Sequence, residues 1–251
     1  MTSEAPKQIR PSTESPVALD ALERLSAGEL LRFAFDRFGD RAVIGTSFQH
    51  GGLVLIDPAR EAELPIRVFT IDTLRLHPET YQHITAVERH FDVRVEKVTP
   101  DPAAVSRMTA QHGEFLFFDS PDKCLHCCKI RKDRPNEGFL GNVDCWVTGL
   151  RRDQSEERAQ TPRARMTAKY GRPLLKLSPL AGWSDEEVKR YVRARESPVN
   201  ELYSRGYSSI GCAICTTPVL PWEQPRAGRW RWEHQGQTKE CGLHLERGDG
   251  I

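Results

Sequence analysis

Residues 41–52, RAVIGTSFQHGG, place a short apolar run directly before a glycine-containing loop. The run RAVIGTSF (41–48) is rich in apolar and β-branched residues, which is typical of a buried strand. The residues that follow, 52–62, have the spacing of an amphipathic helix. A strand that leads directly into a helix is the first half of a β–α–β unit, so this stretch predicts an α/β fold.

The same alternation of strand and helix patterns extends in both directions from this stretch. Further strands are predicted at 66–72, 93–99, 145–150 and, more weakly, 174–180. Further helices are predicted at 27–38, 78–91 and 101–112. Ser184 and Glu187 have the spacing of a capping box at the start of one more helix, SDEEVKRYVRAR. We therefore expect a parallel twisted sheet flanked by helices, in a nucleotide-binding domain over residues 17–205.

The two ends of the chain differ from this α/β pattern. Residues 1–16 contain several prolines and no apolar run, which predicts a disordered tail. After about residue 205 Gly, Pro and Trp become frequent and periodicity fades. We expect 206–251 to be a loop-rich segment, ordered by whatever its cysteines bind, that ends in a mobile tail.

The composition of the 251-residue chain limits the classes of protein that it can belong to. A formal net charge of +1 gives no reason to expect a nucleic-acid partner. No apolar run approaches the roughly 20 residues of a membrane span, and the first residues lack the apolar region of a signal peptide. We therefore expect a cytoplasmic protein with no membrane contact, and the composition leaves its oligomeric state open. In that reducing compartment, the seven cysteines are expected to bind metal or to react.

Five of the cysteines lie in two short motifs, KCLHCC and GCAIC, and they allow two ligand sets. Cys124 and Cys127 can join Cys212 and Cys215 in a zinc pattern, although the gap between the pairs is unusually long. Alternatively, the adjacent Cys127 and Cys128 can join the same two cysteines. Neighbouring residues rarely direct both thiolates at one small ion, whereas an iron–sulfur cubane offers each thiolate its own iron. The pattern leaves both sets open and favours the cluster.

The remaining two cysteines have different surroundings. Cys145 lies in the apolar run DCWVTG and is expected to be a small buried hydrophobic residue. Cys241 stands alone in KECGLHLERGDGI, where Gly242 makes the backbone flexible. Lys239 and His244 offer positive charge or hydrogen bonds that lower the pKa of a thiol. A mobile tail with a thiolate can reach into a site and then meet a second protein.

Several motifs taken together resemble the assimilatory sulfonucleotide reductases, and more narrowly the iron–sulfur adenylylsulfate (APS) reductases. These motifs are CC followed by KIRK, WVTGLRRDQS, SIGCAICT, GRWRW and the terminal KECGLH. The resemblance covers about residues 40–245, and the combination of CC, CxxC and ECGLH is highly specific. It implies an adenine nucleotide α-hydrolase-like fold and an enzyme of sulfate assimilation and cysteine biosynthesis.

The resemblance also implies a cofactor and a reaction. A [4Fe–4S] cluster would be held by Cys127, Cys128, Cys212 and Cys215, with Cys124 left out. Cys241, in the same motif as His244, would be the catalytic nucleophile. In the family this thiolate attacks the substrate sulfur, AMP leaves, and an S-sulfocysteine remains. Thioredoxin, or a glutaredoxin-like dithiol, then releases sulfite.

APS carries a phosphosulfate anhydride that is dense in negative charge, so a thiolate can approach it only where cations neutralise that charge. The cations expected at family-matched positions are Lys132, Arg151, Arg152, Arg158, Arg226 and Arg229. In related pyrophosphatase-type folds a Ser–Gly loop after the first strand holds phosphate, which points to Ser47 in TSFQHGG. This loop departs from the family's SFSGAED-like form. Thr73, in IDT, is a further candidate for nucleotide contact.

Three other functions are weighed against APS reduction. The first is the same reaction on 3′-phosphoadenosine 5′-phosphosulfate (PAPS), which family members without the cysteine quartet generally use. The second is a zinc- or cluster-stapled binding module, which would need neither the tail cysteine nor the arginines. The third is an adenylating pyrophosphatase-type enzyme, for which the loop SGGxDS is missing. The motifs therefore favour APS as the substrate.

Overall fold

The computed structural model describes residues 17–168 and 172–232. Its strands form one sheet in the order β3–β2–β1–β4–β6–β5. The strands are β1 (Ala42–Gly45), β2 (Val68–Ile71), β3 (Val95–Val98), β4 (Cys145–Thr148), β5 (Ala164–Thr167) and β6 (Leu174–Leu177). Neighbouring strands are parallel, except that β5 pairs antiparallel with β6 at one edge. The predicted α/β fold is confirmed.

The helices alternate with the strands as expected. They are α1 (Leu19–Leu22), α2 (Ala27–Phe38), α3 (His50–Glu61), α4 (Pro78–Phe91), α5 (Pro102–His112), α6 (Pro121–Cys128), α7 (Arg134–Leu140) and α8 (Asp185–Ala194). The capping box of α8 is confirmed, because the Ser184 amide donates to the Glu187 carboxylate at 2.7 Å and the Glu187 amide donates back to the Ser184 hydroxyl at 3.2 Å. Helix α3 begins two residues before the predicted start.

Among the helices and strands given above, four were not predicted from the sequence, namely α1, β5, α6 and α7. Strand β5 lies at the sheet edge with Met166 exposed, so it shows no continuous apolar run. Helix α6 carries the first three cysteines, and one π-helical turn, Lys129–Asp133, joins it to α7. This stretch contains many polar residues as well as Pro and Gly, so its apolar residues do not recur with a clear helical spacing.

Apolar side chains cover both faces of the sheet, as expected for strands buried on both sides. Ala42 and Ile44 of β1 pack in the main core, which includes side chains of α2, α3, α4 and α8. Between them, Val43 points to the opposite face, where it packs with Trp146 and with Leu140 of α7. This alternation places the sheet between two helical layers.

The order of the strands reverses between β1 and β4. From β1 the chain continues through β2 and β3 on one side, and β4 then pairs on the other side of β1. The segments that follow these two strands touch, because a Cβ placed on Gly149 would lie 3.0 Å from the carbonyl carbon of Gly51. Such a reversal leaves a crevice at the carboxyl ends of the strands, where open α/β sheets bind ligands.

A separate apolar cluster contains the cysteines of the two motifs. It is built from α5, α6, Leu116, Phe117 and Trp230. Two isolated β-bridges connect the backbone around this cluster. One joins Cys212 to Leu76, in the segment that follows β2, and the other joins Thr216 to Arg229. None of the helices in the described ranges has both the length and the apolar character that a membrane span requires.

The contact between the two glycine-containing segments predicts a stability difference between two alanine substitutions. Gly149→Ala should destabilise the protein, because its Cβ would press on the backbone at Gly51. Overpacking typically costs about 1–3 kcal/mol, so the Tm measured by circular dichroism should fall by several degrees.

Gly138→Ala is the matched control. Gly138 lies inside α7, and a Cβ there meets nothing within 4 Å. This variant should be as stable as the wild type or more stable by up to about 1 kcal/mol, because Ala has the higher helix propensity. An unchanged Tm for Gly149→Ala would show that the two segments do not pack as described.

Candidate active site

A cavity of about 790 Å³ opens at the carboxyl ends of the strands, where the strand order reverses. Its walls come from the segments that follow β1, β2 and β4, from the α6–α7 helix, and from residues between 203 and 229. The cavity is therefore formed by loops that the rigid sheet holds in place, as expected for a ligand site in this class of fold.

The loop between β1 and α3 is held in an unusual backbone conformation. Phe48 has a φ of 56° and a buried side chain, and its amide donates to Thr46 Oγ1 at 2.9 Å. Gln49 donates through Nε2 to Ser47 Oγ at 3.0 Å and accepts through Oε1 from the amide of Ile210 at 3.2 Å. These contacts tie the loop to the C-terminal segment and hold Ser47 at the cavity wall.

The amino end of α3 faces the same cavity. His50, Gly51 and Gly52, its first three residues, all line the wall. The side chain of the N-cap residue Gln49 does not cap the helix. Amides at such a helix start carry partial positive charge, so this part of the cavity suits an anionic group.

The aromatic rings of His50 and Tyr203 stack on one another at the cavity wall. The ring centroids are 4.1 Å apart. Burial lowers the pKa of His50, although Asp185 partly opposes this, so the imidazole is mainly neutral near pH 7. His50 was not among the residues predicted from the sequence, and only its position directly after the first strand pointed to a place near a ligand.

The predicted cations differ in where the structure places them. Arg151 lines the cavity but is buried between two carboxylates, 2.9 Å from Asp153 and 2.9 Å from Asp185. Arg152, the next residue, does not line the cavity, and its Nε donates to the carbonyl of Thr161 at 2.9 Å. The structure thus separates two arginines that the sequence could not distinguish.

The other predicted cations lie at the cavity wall, together with Ser47 and Thr73. They are Lys132, Arg158, Arg226 and Arg229. Arg229 packs against Gly211, where an added Cβ would be 2.5 Å from Cζ, and its Nη1 donates to the carbonyl of Ile210 at 3.4 Å. Burial raises the pKa of Cys212, and the positive charge of Lys132 opposes part of that rise. The pKa of Cys215 is lowered, first by the Cys124 side chain and also by the positive charge of Arg229.

The five cysteines of the two motifs come together beside this cavity. Cys124, Cys127 and Cys128 lie on α6, and Cys212 and Cys215 lie at a single 3₁₀ turn. Cys124, Cys127 and Cys215 are buried in one apolar cluster, and the half-buried Cys128 and Cys212 pack against it. Cys212 also lines the cavity. Cys145 is fully buried in β4 within the main core, as predicted for a small hydrophobic residue.

Hydrogen-bond donors and positive charges surround these sulfur atoms. Thr73 Oγ1 is 3.2 Å from Cys212 Sγ, and Arg131 donates through Nη1 to the carbonyl of Thr73 at 3.1 Å. Burial raises the pKa of Cys127 to about 12, while Arg131 and Arg75 act to lower it. Burial therefore favours the neutral thiol of Cys127, and the two arginines offset part of that preference.

Buried donor atoms near the sulfurs lack partners of their own. Arg75 Nη1, Arg131 Nε and Arg229 Nε are buried without a hydrogen-bond acceptor. Unpaired buried donors of this kind are costly, so they fit a site that takes up an anionic, sulfur-ligated group. Among the described residues, no three Cys, His, Asp or Glu side chains form a group that could hold a metal ion.

The predicted catalytic residues Cys241 and His244 lie outside the described residues. The described chain ends at Trp232, whose ring lies 4.5 Å from that of Phe118. Trp232 also packs against the cluster that contains the cysteines. The last described residue therefore lies beside the sulfur-rich region.

Comparison with known protein families and curated sequences gives consistent matches. The model of the phosphoadenosine phosphosulfate reductase domain matches residues 41–218. An adenosine 5′-phosphosulfate reductase of Allochromatium vinosum is 43% identical, over 82% of this chain and 79% of the relative. One from Pseudomonas aeruginosa is 39% identical, over 95% and 90%. The 5′-adenylylsulfate reductase 1 of Arabidopsis thaliana chloroplasts is 37% identical, and the chain spans 49% of its length.

Comparison with solved structures identifies the same kind of fold. The phosphoadenylyl-sulfate (PAPS) reductase of Candida auris, solved as a phosphate complex, has a TM-score of 0.67 and 27% identity. The match covers 82% of this chain and 100% of that one. The FMN adenylyltransferase of Candida glabrata has a TM-score of 0.53 at 14% identity, which shows a shared fold only.

Proposed function

Because this chain belongs to the phosphoadenosine phosphosulfate reductase domain family, we propose that it reduces APS to sulfite and AMP in sulfate assimilation. The observation that carries this proposal is the continuity between the cavity and the cysteine group. Cys212 belongs to both, and Lys132 and Arg229 lie between them. A nucleotide can therefore occupy the crevice with its sulfate end directed at the sulfur-rich region.

The polarity of the cavity suits the two ends of APS. The first turn of α3 offers amides to a phosphate, and the stacked rings of His50 and Tyr203 offer a flat contact for a base or ribose. Near Cys212 and Cys215, Lys132 and Arg229 offer positive charge to the sulfate and to the phosphate that departs.

We propose that Cys127, Cys128, Cys212 and Cys215 hold a [4Fe–4S] cluster. The buried donors of Arg75 and Arg131 support this, because four thiolates and such a cluster together carry net negative charge. When bound, the cluster supplies a fixed negative group that orders the surrounding cations, without a change of its own redox state.

The reaction itself is assigned to the C-terminal segment. The Cys241 thiolate attacks the sulfur of APS, the S–O bond to phosphate breaks, and AMP leaves with the electron pair. His244 is proposed to assist by stabilising this thiolate. A dithiol of the thioredoxin or glutaredoxin type then attacks Cys241 Sγ, releases sulfite, and supplies two electrons as it becomes a disulfide. Such a reductant places the reaction in a reducing compartment, which we take to be the cytoplasm.

PAPS is the alternative substrate, and the similarity to the Candida auris enzyme favours it. The higher identity to adenosine 5′-phosphosulfate reductases favours APS. Comparison of kcat/KM for APS and PAPS with the same thioredoxin decides between them, and a higher value for PAPS would reverse the assignment.

Serine substitutions of the cysteines test the proposed cluster ligands. Replacing any one of Cys127, Cys128, Cys212 and Cys215 with Ser should remove the cluster, because each thiolate is assigned its own iron. Iron content and visible absorbance of anaerobically purified protein measure this. Cys124→Ser should keep its iron. Loss of iron from Cys124→Ser, together with retention of iron in Cys128→Ser, would disprove the ligand set.

Alanine substitutions of two cations test the proposed anion site. Arg229→Ala and Lys132→Ala should weaken APS binding or slow turnover, because each removes a charge-assisted contact that contributes about 1.5–3 kcal/mol. Arg152→Ala is the matched control, since the Arg152 side chain is held by Thr161 outside the cavity lining. Steady-state kinetics that are unchanged in both cavity variants would place the anion site elsewhere.

Omission of the reductant separates the two halves of the reaction. Without reductant, APS should release about one AMP per active site and add the mass of sulfite to the peptide containing Cys241. Cys241→Ser should still hold iron and bind APS but form no adduct that a thiol can reduce. Mass spectrometry that finds the adduct on Cys124 or Cys145 would disprove the choice of nucleophile.

A further inference from the structure

Glu223 brings a negative charge to the wall of the cavity that is proposed to hold APS. Among the described residues, this wall contains three carboxylates, those of Asp153, Asp185 and Glu223. Arg151, which is itself part of the wall, lies 2.9 Å from each of the first two. Glu223 is paired differently, because the arginine that binds it, Arg231, is not part of the wall. The proposed function gives Arg231 no role.

Arg231 binds both oxygens of the Glu223 carboxylate. Its Nη1 donates to Oε1 at 2.5 Å, and its Nη2 donates to Oε2 at 2.9 Å. The same guanidinium donates through Nε to Thr217 Oγ1 at 2.9 Å and through Nη2 to the carbonyl of Pro218 at 2.7 Å. The amide of Leu220 also donates to Glu223 Oε2, at 2.7 Å. Arg231 therefore fixes the carboxylate and the start of the loop that carries it.

This loop forms one side of the cavity. The bridge between Thr216 and Arg229 closes it at its base. The two sides meet so closely there that a Cβ added at Gly228 would lie 2.1 Å from the carbonyl oxygen of Thr217. Residues between 219 and 226 line the cavity, as does Arg229. Glu223 thus belongs to a closed loop that ends at a proposed contact of the substrate.

We propose that Arg231 is a positioning residue of the anion site, which neutralises Glu223 so that the cations of this site act on the substrate undiminished. Without its arginine, the carboxylate would repel the phosphate and sulfate of APS, because like charges repel one another strongly in a partly closed site. This inference rests on the proposed function and extends it to a residue outside the cavity wall.

The exposure of the ion pair indicates where its effect is to be measured. The side chains of Arg231 and Glu223 are 38% and 21% exposed. Ion pairs that solvent can reach contribute little to the stability of a fold. We therefore expect loss of Arg231 to change the binding of anions more than the stability of the protein.

Four variants, compared with the wild type, separate the effect of charge from that of structure. Arg231→Ala removes all the hydrogen bonds of the guanidinium, and Arg231→Gln removes its charge but keeps a donor for the loop. Each is also combined with Glu223→Gln, which removes the negative charge that Arg231 neutralises. Arg205→Ala is the matched control, because Arg205 also binds two carboxylates, those of Glu79 and Glu201 at 2.6 and 2.7 Å, and none of these three residues lines the cavity.

The readouts are the dissociation constants of AMP and of uncharged adenosine, measured by calorimetry at low and high salt, and the KM and kcat for APS. Both single variants should bind AMP about fivefold more weakly, as expected for one partly screened charge near an anion. The KM for APS should rise by at least as much, while kcat stays within about twofold. Adenosine binding should not change, and added salt should reduce the loss of AMP affinity. Both double variants should bind AMP within about twofold of the wild type, and Arg205→Ala should match it.

Two results would overturn the inference while the proposed function stands. Unchanged AMP affinity and KM in both single variants would show that Arg231 does not act on the anion site. A loss that persists in the double variants, or that is equally large for adenosine, would show that Arg231 only maintains the shape of the loop. If Arg231→Ala does not fold, Arg231→Gln and its double variant give the answer. Wild-type protein that binds AMP but does not reduce APS would instead reject the proposed reaction, and the AMP measurements would still test the role of Arg231.

Discussion

The parallel pairing of β1 with β4 is the constraint on which the rest of the site depends. The pairs run in register from Ala42 and Cys145 to Gly45 and Thr148, so both strands end at the same level. Both following segments then leave the sheet side by side, and Gly51 and Gly149 allow their backbones to touch. The crevice and the position of the α3 start depend on this register, because both segments leave the centre of the sheet at the same level.

The α6–α7 helix connects this crevice to the cysteine group. Its first part carries Cys127 and Cys128, while Leu140 at its end packs under the sheet with Val43. The π-helical turn between them inserts an extra residue per turn and so rotates the following positions. Arg131 is consequently buried against the cysteines, whereas Lys132 faces the cavity. A single helix thus fixes the distance between the metal-binding candidates and the ligand pocket.

Strands with a strong apolar pattern could be predicted from the sequence. The partners of individual side chains could not, because tertiary contacts determine them. Strands β1, β2 and β4 could be predicted because both of their faces are buried, whereas the edge strand β5 could not. Arg151 and Arg152 are equivalent in sequence, and only the fold directs one to Asp185 and the other to Thr161. Thr73 was predicted from its motif alone to contact a nucleotide. Its contact with Cys212 Sγ depends on residues 139 positions apart meeting in space.

The same positive charges serve the cysteines and the substrate. Burial raises the pKa of Cys127 to about 12 and also raises the pKa of Cys212, so uptake of a metal centre must displace protons from these thiols. Arg75 and Arg131 reduce that cost at Cys127, and Lys132 reduces it at Cys212. Once the sulfurs are anionic, they attract these cations and neutralise part of their positive charge. The cations then attract a second anion in the cavity less strongly. Lys132 lies within reach of both groups, so its position sets how strongly an anionic ligand and the sulfur-bound centre influence one another.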